Sequence, residues 1–340
     1  MSRRTVETWL LAACDPQTAA AAPTARLSLR QLPALLVAAR NHAVAGAVFE
    51  SLRRWRWLES LSVEECAAAG QEFEAARRLH AVAIGKSLGL KCVAQQAIAA
   101  LARAGIPSTI LKGEDFAARL YPSPALRPCR DVDLLVPQEA YADADRVIQS
   151  LGYAVVEGDR KYAAEDYGQI SYFSTSAERW SLELHWNVIN SPAQRGQCSL
   201  SWNDMEFLPP QSDGPRLLTP NSLLILAAVH ACVGHRFDSL QQLCDIRQIC
   251  RGAAGPIDAA RLPAACVRLR CVTAMSWSLD LVARMFACAE ARKLLSDETF
   301  AAAARGGAWS TIKPQTVLRP QTLGSRLRRS LARKRLKTAA

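Results

Sequence analysis

"LRPCRDVDLLV", residues 126–136, sets Asp131 and Asp133 two positions apart at the head of an apolar run. Successive side chains on a β-strand point to opposite faces, so the two aspartates share one face while Val132, Leu134 and Val136 pack on the other. Like charges that close raise each other's proton affinity unless something positive lies between them. A divalent cation bridging to phosphate oxygens is one such partner, since magnesium is held by one or two carboxylates together with phosphates. The plain alternative is two aspartates facing water on a half-buried sheet, and the surrounding sequence has to decide.

On the C-terminal side, Pro137 closes the strand and opens the helical stretch "QEAYADADRVIQSLG". "YAVVE", "QISYFST" and "WSLELHWNV" then read as further strands, the last two joined by the hairpin-length connection "SAER". In "WSLELHW", Trp180, Leu182, Leu184 and Trp186 form one apolar face and leave Glu183 and His185 on the other. On the N-terminal side, Gly105 stops a helix, "STIL" (108–111) reads as a short strand ending at Lys112 and Gly113, and "EDFAARLY" as a helical turn.

Helical periodicity fills both flanks. From Val6 to about Gly105 apolar residues recur at three and four, and Ser62 with Glu65 forms a capping box. After Pro209 the chain turns helical again, with Thr219 as cap and Pro220 at the first helical position, and the pattern runs on to about residue 295. The expected fold class is α+β: a small mixed-sheet core flanked by N-terminal and C-terminal helical segments. The expected divisions are a helical segment 1–104, an α/β core 105–210, a helical segment 211–300 and a basic, flexible tail 301–340.

Composition bounds the function. The 340 residues are half hydrophobic and carry a formal net charge of +11. Arg326, Arg328, Arg329, Arg333, Lys334, Arg335 and Lys337 supply seven of those charges with no acid among them, leaving +4 for the rest (11 − 7). The basicity therefore marks a tail that either meets nucleic acid or anionic lipid or is simply a solvated, frayed terminus. The eleven cysteines include no CxxC pair, and the first residues are interrupted by Glu7, unlike a signal peptide. Reduced thiols in a cytoplasmic protein are expected, and "LLILAAVHACVG" (223–234) is well short of a membrane span.

"ILKGEDFAARLYPSPALRPCRDVDLLVP" (110–137), followed by "LELHWNV" (182–188) and "HACVGHRFDSLQQLCDIRQI" (230–249), resembles the uncharacterised branch of the nucleotidyltransferase superfamily with the DNA polymerase β-like fold. The resemblance implies that Gly113 lets the backbone approach a triphosphate, that Asp131 and Asp133 bind metal, and that Glu183 supplies a third metal-binding acid and helps deprotonate the acceptor. Lys112, Arg127 and Arg130 would offset the phosphate charge, lysine as a point charge and arginine as a fork. It implies Mg²⁺ or Mn²⁺ as cofactor, an NTP as co-substrate, an unidentified acceptor, and release of pyrophosphate.

One departure bears on this reading: Glu114 stands where the superfamily has a serine after the glycine. Two rivals stay open, a catalytically degenerate binding protein and a nucleic-acid-binding protein using the basic tail. His230 and His235, five apart, fall on different faces of an α-helix and make a poor metal pair. Asp245 reads either as an acid that approaches the active face from the helical segment or as a capping, solvated one, and His185 as either a neighbour of the site or a satisfied core histidine.

Overall fold

The computed structural model describes residues 3–15, 21–155, 167–210, 214–305 and 314–318; the basic stretch 326–340 lies outside them. The N-terminal part is helical: α1 (Arg3–Ala13), α2 (Leu32–Asn41), α3 (Ala45–Arg54) and the 41-residue α4 (Val63–Arg103). The expected capping box starts α4, with the Ser62 hydroxyl accepting from the Glu65 N–H and the Glu65 carboxylate accepting from the Ser62 N–H. Gly105 ends it with φ +71°.

Among the described residues, five strands form one mixed sheet in the order β1-β2-β5-β4-β3. They are β1 (Thr109–Ile110), β2 (Val132–Leu135), β3 (Tyr153–Val155), β4 (Gln169–Ser174) and β5 (Ser181–His185). β2 and β5 run parallel, while the other neighbours are antiparallel, including the β4–β5 hairpin. β1 is shorter than "STIL" suggests: Pro107 has no N–H to give, and the Ser108 carbonyl accepts instead from the Arg216 N–H. Two helices sit within this region, α5 (Glu114–Leu120) and α6 (Tyr141–Ser150).

The sheet separates two apolar cores. Val132, Leu134, Leu182 and Leu184 pack with Val93, Ala97 and Leu101 of α4 and with Ala144 and Ile148 of α6. Leu111, Leu135 and Phe116, on the other side, join a core shared by α1–α3 and the C-terminal helices. Those helices include α7 (Pro220–Val229), capped by the Thr219 hydroxyl as expected, α8 (Leu240–Cys250) and α9 (Val272–Phe286). All eleven cysteines are free. No helix among the described residues is long and apolar enough to cross a membrane.

Candidate active site

Pairing of β2 with β5 sets Asp133 directly opposite Glu183, and Leu135 opposite His185. With a side-chain period of two, Asp133, Glu183 and His185 all emerge from the face opposite the α4/α6 core. Their ligand atoms lie within 4.8 Å of one another, the His185 Nε2 standing 3.3 Å from Asp133 Oδ1 and 3.5 Å from Glu183 Oε2. Asp131, one residue before the strand begins, is not a member of this cluster; its side chain is about one-third exposed.

Lys112 follows β1 and bridges the two aspartates, its Nζ 2.6 Å from Asp133 Oδ2 and 4.0 Å from Asp131 Oδ1. The Asp133 side chain is fully buried. Burial alone raises a carboxyl's pKa, yet Lys112 and His185 more than offset it and hold Asp133 far below the usual carboxylate range. Burial opposes a charge on His185 too, but its hydrogen bonds to Asp133 and Glu183 raise its pKa to about 9. Asp131 goes the other way: burial and the charge of Asp133 raise it.

The sequence-predicted residues thus part into two groups. Asp131, Asp133, Glu183 and Lys112 come together, with Gly113 next to Lys112 and Asp131: a Cβ on it would lie 3.5 Å from the Asp131 carbonyl oxygen. Gly113 has φ +58° and ψ −112°, a combination that side chains disfavour. Arg127 is committed elsewhere: its Nε and Nη2 donate to the two oxygens of Asp245 at 2.9 and 2.8 Å, and its Nη1 donates to the Gly113 carbonyl. Asp245 also accepts from the Tyr121 hydroxyl at 2.7 Å, so this acid is a buried partner of Arg127 rather than a cap. Arg130 is exposed. Glu114, the acid that replaces serine, turns to Lys91 of α4 at 3.5 Å.

A cavity of about 310 Å³ opens beside these groups, with Lys112, Gly113, Arg130 and Asp131 on one wall. The opposite wall comes from the segment between α7 and α8, where the helix widens into a π turn over His230–Gly234. The His235 N–H donates to the His230 carbonyl at 3.1 Å, a five-residue step. The wider turn brings the two rings together edge-to-face, with centroids 4.5 Å apart, against the α-helical expectation of different faces. Burial, and after it the neighbouring Lys112 charge, hold His230 well below the usual histidine range.

The donor set fits a divalent cation: two carboxylate oxygens, which suit magnesium or manganese, and one imidazole nitrogen, which suits a softer transition-metal ion, converge from two hydrogen-bonded strands. The His185 contribution was half visible in the sequence, since "LELH" puts Glu183 and His185 on one face. The facing pair His230–His235 had no such signal, because a π turn leaves none in an apolar periodicity.

Residues 29–287 match the model of an uncharacterised nucleotidyltransferase family, a span that holds every residue of this site. No curated protein matches the chain.

Proposed function

The chain belongs to that nucleotidyltransferase family, and we propose that it transfers a nucleoside monophosphate from an NTP to an acceptor with release of pyrophosphate. The observation that carries this reading is Asp133 opposite Glu183 in the β2–β5 register, with His185 reaching both. A divalent cation held by Asp133, Glu183 and His185 would neutralise triphosphate charge and polarise the phosphorus under attack.

The chain's own groups supply the rest. Lys112 fixes Asp133 through Oδ2 and leaves Oδ1 facing His185 and Glu183. Gly113 lets the backbone approach phosphate where a side chain would intrude. Arg130, at the cavity wall, is the better candidate for phosphate contact, because the fork of Arg127 is occupied by Asp245. An acceptor oxygen bonds to the α-phosphorus, the bond from that phosphorus to the bridging oxygen breaks, and pyrophosphate leaves with the electron pair. The acceptor's proton goes to Asp131 rather than Glu183, because Asp131 lines the cavity and its proton affinity is raised by burial and by Asp133, whereas Glu183 would be held by the cation. Positioning and electrostatics carry the reaction. The eleven free thiols suit a reducing, cytoplasmic setting.

Calorimetric titration of each NTP with Mg²⁺ or Mn²⁺ into wild type and Asp133→Asn tests the reading. Metal-dependent binding of an NTP that the variant loses supports it. No NTP binding by wild type sinks it, and metal binding without pyrophosphate release under any acceptor would identify the non-catalytic rival.

A further inference from the structure

A second, larger cavity adjoins the one beside the carboxylates. Its volume is about 690 Å³, within the roughly 300–1,000 Å³ of small-molecule pockets. Asn41, Arg130 and Asp238 line both cavities, so the two meet at one wall. The smaller one, about 310 Å³, lies at the low end of that range. With a triphosphate against Gly113 and Arg130 there, the body of the acceptor has to lie elsewhere.

The lining of the larger cavity follows from helical spacing. Ala34, Val37, Ala38 and Asn41 of α2 stand at i, i+3, i+4 and i+7, which is one face of the helix. Val6 and Leu10 of α1, four apart, join them, as does Leu318 at the end of the helical turn Pro314–Leu318. Asn41 is the last residue of α2, so the apolar stripe starts at the shared wall and runs back along the helix. From Asn41 to Ala34 it covers about 10 Å at the helical rise per residue. Val37 is 48% exposed, so an apolar ligand seated on it would take apolar surface out of water.

The side chains also narrow the occupant. Among the described residues no Phe, Tyr or Trp lines this cavity, so a nucleobase or aryl ring would find no aromatic partner to stack on. An aliphatic chain needs none, because its burial is non-directional. Of the charged residues on the wall, Arg3 and Glu7 bond each other at 2.8 Å. Asn41, Arg130 and Asp238 put polar groups at the junction, where a head group would pass.

We infer that the acceptor is an aliphatic amphiphile, its chain lying along the α2 stripe in the larger cavity and its hydroxyl head crossing the wall of Asn41, Arg130 and Asp238 to the transfer site. The inference rests on the nucleotidyl-transfer reading for the acceptor's role and adds the class of molecule. The head-group oxygen bonds to the α-phosphorus, its proton passes to Asp131, and pyrophosphate leaves with the electron pair of the broken bond.

Chain binding is measured without nucleotide or metal, so the inference and the transfer reading fail separately. Methyl signals of the full-length protein are followed by NMR during titration with n-octanol, with glycerol as a head group lacking a chain, and with adenosine as a base. The expected result is a saturable shift of Val6, Val37 and Leu318 with n-octanol alone. Nuclear Overhauser contacts should run from its terminal methyl to Val37 and from its carbinol protons to Asn41. Val37→Asp, at an exposed position, should weaken binding about tenfold or more. Ala34→Trp, also exposed, fills the same helix face and should weaken it too. No shift with n-octanol, an equal response to glycerol, a shift with adenosine instead, the opposite orientation, or octanol binding that both variants retain overturns the inference. Octanol binding that appears only once residues 319–340 are removed would give the cavity to the chain's own C-terminal segment and overturn it as well. Octanol binding at wild-type affinity in Asp133→Asn would support it, whatever the NTP titrations give.

Discussion

Arg127 and Asp245, 118 residues apart in the chain, form a buried two-pronged ion pair, with Nε and Nη2 each donating to a different carboxylate oxygen at 2.9 and 2.8 Å. The pair ties the loop ahead of β2 to α8, and through Arg127 Nη1 it also holds the Gly113 carbonyl. It therefore fixes where the C-terminal helices stand relative to the carboxylates.

Breaking that pair from one side leaves a buried charge alone, so Asp245→Ala should destabilise the protein by about 3–5 kcal/mol. Replacing both partners by apolar residues, Arg127→Met with Asp245→Leu, should recover most of the loss, because no uncompensated charge remains. Urea unfolding of Arg127→Met, Asp245→Leu and the double variant checks this. Equal, additive losses would mean that the residues do not act as a pair.

Two glycines of α4 give a controlled comparison of propensity against packing. Nothing lies within 4 Å of a Cβ placed on Gly85, so Gly85→Ala should gain about 1 kcal/mol from helix propensity. A Cβ on Gly89 would come within 2.3 Å of the Trp180 ring. Overpacking of about 1–3 kcal/mol outweighs the propensity gain, so Gly89→Ala should lower stability. Thermal unfolding of both variants is the check, and a gain at Gly89 would show that Trp180 moves aside freely.

How much of this was open to reading is clearest at individual residues. The strand faces were legible: alternation alone separated Asp133 from Leu134, and Glu183 and His185 from Leu182 and Leu184. So were the starts of α4 and α7, because a capping hydroxyl and a proline at the first position act within a few residues. What escaped depends on distance or register. Nothing local to "LRPCR" or "LCDIRQ" reveals that Arg127 and Asp245 meet. Whether His185 reaches Asp133 is set by the parallel pairing of β2 with β5, a register that neither strand encodes alone. The π turn at His230 is hidden in the sequence because its apolar residues fit an α-helical period equally well.

His185 makes the metal-free protein sensitive to alkaline pH. Its folded pKa of about 9 lies above the ordinary histidine value of 6.5, so the folded state binds the proton more tightly. That contribution is fully present below pH 6.5 and is lost as pH rises through about 9. Thermal unfolding in chelator should show stability falling across that window by on the order of a few kcal/mol, and His185→Gln should flatten the fall. An unchanged slope in the variant would assign the alkaline loss to another group.

Gly113 and Gly105 separate backbone strain at the site from backbone strain away from it. Both have positive φ, +58° and +71°, and neither is crowded: a Cβ on Gly113 would make an ordinary 3.5 Å contact with the Asp131 carbonyl, and one on Gly105 would meet nothing within 4 Å. Alanine at either position should therefore cost stability through φ alone, about 1–3 kcal/mol. At Gly113 the same strain would also displace the carbonyl that Arg127 holds and the backbone next to Lys112, so NTP affinity should fall by about tenfold or more. Gly105→Ala, at the end of α4, should leave NTP affinity as it is. Calorimetry with metal and nucleotide on both variants decides: matched affinities would remove Gly113 from the phosphate site, whatever happens to stability.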